Sequence, residues 1–252
     1  MNIEKYIRRA FFRRLVSTRE GRVHLLNLMI KAEEGDEAGV FDRLQEIVDD
    51  PTVRKTIARH QADECEHAAL YRKCLERHGG TPGSVPSELL IIRRVAFAAG
   101  GAFASASREQ TAKGIVTRED IMKTYALLLA IEERGVEQFP LIGREFRRIG
   151  DHETADTFER IARDELRHTK YCRAIGRRFA PDDAAWAEAV AEHRAVEARA
   201  FHQAALAGVA YAIEQGLAWN GVVPRLIAAA LHRLDPMRRA SPVVGATAST
   251  AS

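Results

Sequence analysis

Two short stretches of the chain, "DECEH" at 63–67 and "DELRH" at 164–168, share the pattern Asp-Glu-x-x-His in a protein with only nine histidines. On a helix, positions i and i+3 stand on adjacent turns of one face, so Glu64 lies beside His67 and Glu165 beside His168. A carboxylate and an imidazole presented together are donors for a divalent cation. One Glu-x-x-His alone is expected about once by chance in a charged helical chain. Two of them acquire meaning from the elements that carry them.

Both motifs fall near the middle of a helix, on its apolar side. Asp50 and Pro51 predict a helix start, as N-cap and first helical residue, and the breaker "HGGTPGSVP" ends that helix near His78. Ile57, Glu64, His67, Tyr71 and Cys74 share one of its sides. A second such helix is predicted from about Glu153 to Arg178, with Phe158, Ile161, Glu165, His168 and Cys172 on one side. Burying these polar groups without partners would cost several kcal/mol. A pair of divalent cations removes that cost.

Two further helices supply glutamates at matching height. Between a capping-box-like Thr117 and about Ile149, Glu132 lies on the face of Tyr125, Leu128, Val136, Phe139 and Phe146. In the helix predicted over 23–48, Glu34 precedes Glu64 by 30 residues, as Glu132 precedes Glu165 by 33, and each is followed seven residues on by a phenylalanine, Phe41 or Phe139. Glu33 and Glu37 lie closer to the centre of that helix's apolar stripe; the hairpin spacing and the matched aromatic favour Glu34. The leading aspartates, Asp63 and Asp164, sit on the helix flanks, where each can accept the spare N–H of a histidine on the neighbouring helix and so fix its tautomer.

The candidate metal set is therefore Glu34, Glu64, His67, Glu132, Glu165 and His168. Four carboxylates with two imidazoles suit iron or manganese better than zinc, which favours fewer ligands. Tyr71, one turn beyond His67, and Tyr125, two turns before Glu132, are candidates to donate a hydrogen bond or an electron, against the alternative of packed core tyrosines. His60, one turn before Glu64, reads as a surface or capping histidine ahead of a proton relay or extra ligand. Cys74 and Cys172 read as packing residues.

The positioning elements form a short-turn hairpin, a long crossover and a second short-turn hairpin. The expected architecture is an all-α, four-helix bundle with one long crossover, plus an N-terminal helix and a C-terminal helical extension. Residues 1–22, with seven Lys/Arg against two Glu, form a basic amphipathic helix, docked on the body or, alternatively, resting on a membrane surface. The bundle spans 23–180 with its crossover at 79–116. C-terminal helices occupy 181–238, and 239–252 is a polar tail expected to be disordered.

Composition excludes other classes. A net charge of +3 with 7% aromatics carries no basic, aromatic-interleaved stripe, so no nucleic acid is expected. The most apolar run, 89–103, is too short and is broken by Arg93 and Arg94, which excludes a membrane span. Three cysteines without a CxxC pair, and a start lacking a signal-type apolar run, point to a cytoplasmic protein.

With these residues in place, the chain resembles the ferritin-like superfamily of di-iron carboxylate proteins over about residues 23–178. "EEGDEAGVFDRLQEIVDDPTVRKTIARHQADECEHAALYRKCL" is similar in run and spacing to rubrerythrin-like bundles, and "RDELRH" resembles the last-helix motif of bacterioferritins. The resemblance implies two iron ions, or manganese or a mixed pair. Glu64 and Glu165 would bridge, Glu34 and Glu132 would be terminal ligands, and His67 and His168 would cap one metal each. It also implies an oxidoreductase that uses dioxygen or peroxide with an external electron donor. Gly135 stands where rubrerythrins carry an extra glutamate, and no cysteine-rich electron-transfer domain is present, which argues against a peroxide reductase. The long crossover and C-terminal region argue for a monomer or dimer rather than a storage cage. The expectation is a non-haem di-iron oxidase or monooxygenase acting on a small organic, apolar substrate. A rubrerythrin- or ferritin-type peroxide reductase or ferroxidase is the alternative, and a non-catalytic helical interaction protein the third reading.

Overall fold

The computed structural model describes residues 3–34, 37–99 and 114–237, and every regular element among them is helical. In chain order these are α1 (Ile3–Val16), α2 (Arg19–Glu33), α3 (Glu37–Ile47), α4 (Pro51–Arg77), α5 (Ile91–Ala99), α6 (Arg118–Arg148), α7 (His152–Phe179), α8 (Asp183–Glu214) and α9 (Val222–Leu234), with a 3₁₀ turn at Ser87–Leu89 before α5. No helix among the described residues is long and apolar enough to cross a membrane.

Local chemistry sets the helix starts. Asp50 accepts hydrogen bonds from the Thr52 and Val53 amides, with Pro51 at the first helical position of α4. Thr117 and Asp120 form a reciprocal capping box at the start of α6. Asp151 caps α7 through the Thr154 amide, and Asp182 caps α8 through that of Ala185. The turn between α6 and α7 is short, with Gly150 at φ +84°, so the two run antiparallel and share the most extensive contact in the molecule. α2 and α3 lie along α4, α4 meets α7, and α8 covers another face of α6 while carrying α5 and α9.

Three boundaries differ from the sequence expectation. The predicted helix 23–48 is two helices: α2 ends at Glu33, with Glu34 as its C-cap, and α3 restarts at Glu37, residues 35–36 lying outside the described set. The predicted N-terminal helix 1–22 stops at Val16, because Thr18 accepts from the Gly21 amide and opens α2. The predicted helical region 182–233 is divided by a turn over 215–221, in which Gly216 and Gly221 take positive φ. Residues 100–113 of the crossover and the tail 239–252 lie outside the described residues, so the expectation of a disordered tail falls there too.

The basic charge of α1 has a use inside the molecule. Phe12, Leu15 and Val16 are buried against the body. Arg9 and Arg13 pair with the buried Glu145 of α6 at 2.8 and 3.3 Å.

Two large apolar clusters lie at either end of the bundle interior. One gathers Phe41, Leu44, Ile57, Tyr125, Leu128 and Cys172; the other gathers Leu26, Ile30, Tyr71, Ile142, Phe146 and Phe158. Along α4, α6 and α7 the residues of the two motifs and Glu132 fall between these clusters in sequence. A polar layer is thus held between two dry ones.

Candidate metal centre

That layer contains Glu33 of α2, His60, Glu64 and His67 of α4, Glu132 of α6, and Glu165 and His168 of α7. Their ligand atoms form two groups, each with all members within 4.8 Å of one another: His60, Glu64, Glu132 and His168, and Glu33, Glu64, His67 and Glu165. These buried His/Glu groups could hold metal ions. α4 supplies three of the side chains at i, i+4 and i+7, one per turn of one face.

Glu64 spans both groups. Its Oε1 lies 3.1 Å from His60 Nε2 and 3.0 Å from His168 Nδ1, and its Oε2 lies 3.5 Å from His67 Nδ1. Glu165 belongs to the second group, with Oε1 3.5 Å from His67 Nδ1, and its Oε2 also reaches a histidine of the first, 3.2 Å from His168 Nδ1. Glu132 faces only the first group, with Oε1 3.0 Å from His60 Nε2 and Oε2 3.5 Å from His168 Nδ1. Glu33 faces only the second, 3.8 Å from His67 Nδ1.

The spare nitrogens point outward to the aspartates. His168 Nε2 lies 3.2 Å from Asp63 Oδ2, and His67 Nε2 lies 3.4 Å from Asp164 Oδ2. Each aspartate serves the histidine of the opposite motif, which leaves both Nδ1 atoms directed into the cluster. Arg167 ties the two aspartates together, donating to Asp63 at 2.9 Å and to Asp164 at 2.6 Å.

Two buried polar atoms in the cluster have no hydrogen-bond partner, Glu64 Oε1 and His67 Nδ1. Glu64 Oε1 is close to two imidazole nitrogens, but at angles that make no hydrogen bond. Orphaned lone pairs are costly in a dry interior. Both belong to α4, Glu64 Oε1 facing His60 and His168 and His67 Nδ1 facing Glu33 and Glu165; with donors from three other helices around them they fit cations, and the oxygen-rich donor set fits iron or manganese.

Electrostatics say the same. Burial, and next the charge of Glu64, push the Glu33 carboxyl well above its ordinary value. Burial, then Glu132 and Glu64, do so for Glu165. For Glu64 burial acts in the same direction, but the nearby nitrogens of His168, His60 and His67 hold it well below the usual range. Glu132 is brought to about 2, with burial opposed by the Glu165 carboxyl and the His60 and His168 rings. The histidines answer in kind: although burial disfavours their charge, the carboxylates raise His60 to about 9 and His67 to about 10, and they raise His168 as well.

The structure does not bring Glu34 into the cluster. As the C-cap of α2 its side chain turns outward, where Lys31 at 2.6 Å and Arg72 hold it and keep its carboxyl low. Glu33, one step around the helix, stands where Glu34 was expected. The side chain of Glu37, the other alternative, lies outside the described residues. His60 is also placed differently from the surface reading: it is buried, and its ring is 3.9 Å from that of His168 and 4.7 Å from that of Phe41. Its i−4 spacing from Glu64 was the available signal. Arg167 had one too, as the residue between Glu165 and His168 that follows Asp164 at i+3.

Tyr71 is fully buried against Phe158, with its hydroxyl lacking a hydrogen-bond partner and lying in the field of Glu33 and Glu165. Tyr125 is equally buried, but the ionisable group acting on its hydroxyl is Cys172. Gly135 faces the site: a Cβ there would stand 3.1 Å from Glu165 Cγ and 3.2 Å from Phe139 Cε2. A side chain at 135 would therefore require Glu165 or Phe139 to give by a few tenths of an ångström.

No family model matches the chain, and no curated protein or solved structure matches it.

Proposed function

We propose that this chain is a di-iron carboxylate oxidoreductase built on a ferritin-like four-helix bundle, and that it uses dioxygen to oxidise or hydroxylate a small apolar organic substrate. The observation that carries the reading is the cluster itself. Four glutamates and three histidines converge in one buried layer, with no lysine or arginine among the described residues in ion-pair contact with them. Two irons, when bound, supply the electrons and the coordination positions for dioxygen.

The chain's own residues hold and tune such a pair. Glu64 and Glu165 would help to hold both ions, since each carboxylate has one oxygen toward His168 and the other toward His67. Glu132 and Glu33 are terminal donors. Asp63 and Asp164 hold the imidazole tautomers, and Arg167 holds the aspartates. Phe41, Phe139 and Phe158 exclude water, and the Tyr71 hydroxyl is a hydrogen-bond donor with its proton not yet committed. The absence of a carboxylate at Gly135, which faces the site, favours an oxidase over a rubrerythrin-type peroxide reductase. The cover of α8 on α6 favours a small assembly over a storage cage.

The test is anaerobic loading with Fe(II), followed by dioxygen and a chemical electron donor. The account expects dioxygen to be consumed in repeated turnovers, without peroxide release and with no more than two irons retained per chain. Rapid peroxide turnover without organic substrate would transfer the protein to the peroxide reductases. Accumulation of many ferric ions per chain would transfer it to the ferroxidases. Inertness of the loaded protein toward both oxidants would remove the enzymatic reading.

A further inference from the structure

On the reading of the cluster as a dinuclear centre, we infer that His60 is itself a metal ligand, and that the two metal positions are therefore unequal. The position framed by His60, His168 and Glu132 is nitrogen-rich and fills first; the position framed by Glu33 and His67 is carboxylate-rich and fills second.

The donor geometry supports this. Both positions share Glu64 and Glu165, one oxygen of each facing each side. Beyond those shared oxygens, one side has two imidazoles and Glu132, whereas the other has one imidazole and Glu33. His60 Nε2 lies within 3.1 Å of oxygens from two different helices, Glu64 and Glu132. Phe41 packs on the His60 ring, and the side chain is only 2% exposed. A histidine serving only as a hydrogen-bond partner to Glu132 would have no reason to sit equally close to Glu64 Oε1, an atom left without any hydrogen bond. Shared coordination of one ion by His60, Glu64, Glu132 and His168 accounts for both distances. An added imidazole raises affinity for zinc, cobalt and iron relative to manganese, while a carboxylate-rich position narrows that preference.

Calorimetric titration of the metal-free protein with Zn(II) tests the assignment. The wild type should show two binding events differing at least about tenfold in Kd. His60→Gln keeps a donor for Glu132 but removes the imidazole, and should weaken the tighter event by about 100-fold while sparing the weaker one. His67→Gln should remove the weaker event and leave the tighter. Two wild-type events surviving in His60→Gln, or loss of the tighter event in His67→Gln, would overturn the inference. A measurement on the wild type needs no variant to fold: one equivalent of Zn(II) followed by Mn(II) should give isolated-ion Mn(II) EPR spectra. A statistical mixture containing coupled manganese pairs would overturn it. A wild type that binds no metal at all would instead defeat the dinuclear reading on which the inference rests.

Discussion

Two regions of α6 bury glutamate in opposite ways. Glu145 is fully buried, yet Arg9, Arg13 and Arg148 reach it at 2.8–3.3 Å and hold its carboxyl low. Three turns earlier, Glu132 is buried with three other carboxylates and has only histidines beside it. The other buried acids among the described residues follow the Glu145 pattern: Glu197 is clasped by Arg134 and Asp235 by Arg94, both through paired hydrogen bonds. A fold with arginine available for each of these buried acids leaves the Glu33, Glu64, Glu132 and Glu165 cluster without one. Arginine is a permanent counter-ion, whereas a histidine can give up its proton and become a ligand. The difference separates a structural carboxylate from a candidate ligand.

The sharpest way to break the comparison is to remove the shared bridge. Glu64→Ala should cost at least one of two metals per chain, measured by elemental analysis after gel filtration. Glu145→Gln should leave metal content unchanged. Retention of both metals in Glu64→Ala would place the ligands elsewhere.

A change of sign comes next. In the metal-free protein, Glu165→Gln replaces a carboxyl that burial already drives toward its neutral form, so thermal stability should hold or rise. In the metal-loaded protein the same change should lower Tm. Glu145→Gln should lower Tm in both states, by the equivalent of about 1–2 kcal/mol, since its three arginines are half-exposed and can turn to water.

The pH dependence of the metal-free protein is smaller. His60 and His67 are raised from 6.5 to about 9 and about 10. Their contribution to stability is fully present below pH 6.5 and is lost as pH rises through those higher values. Metal-free Tm should therefore fall between pH 7 and 10, and bound metal should flatten the decline, because the lone pairs then carry metal rather than protons. A metal-free Tm that is level over that range would show the histidines carry no such charge.

The smallest effect concerns the outer carboxylates. Asp63→Asn should weaken metal binding by about 10–100-fold with little change in fold, followed by circular dichroism and metal titration. An affinity equal to wild type would reduce Asp63 to a surface partner of Arg167.

Much of this arrangement was legible in the chain. The starts of α4 and α6 are written in Asp50-Pro51 and Thr117-x-x-Asp120, and the paired Asp-Glu-x-x-His motifs place Glu64, His67, Glu165 and His168 on inward faces by helical period alone. Glu132 follows from the apolar face around it. The first helix was harder, because its break changes the rotation of everything near position 34. A continuous helix admits Glu33, Glu34 or Glu37, and only the end of α2 separates Glu33, turned inward, from Glu34, turned toward Lys31 and Arg72. His60 was hidden for another reason. A lone histidine on a helix is usually satisfied by solvent or a cap, and its value here comes from Glu132 on a distant helix. Contacts of that kind have no local signature. Arg167 belongs with it, since its role is to join Asp63 to Asp164 across 104 and 3 residues of sequence.

The most direct test of the central claim is metal content after anaerobic loading with Fe(II) and removal of free iron. Two irons per chain are expected, with fewer than two in Glu64→Ala. Less than about one iron per wild-type chain would contradict it, and the unpaired carboxylates around His60, His67 and His168 would need another explanation.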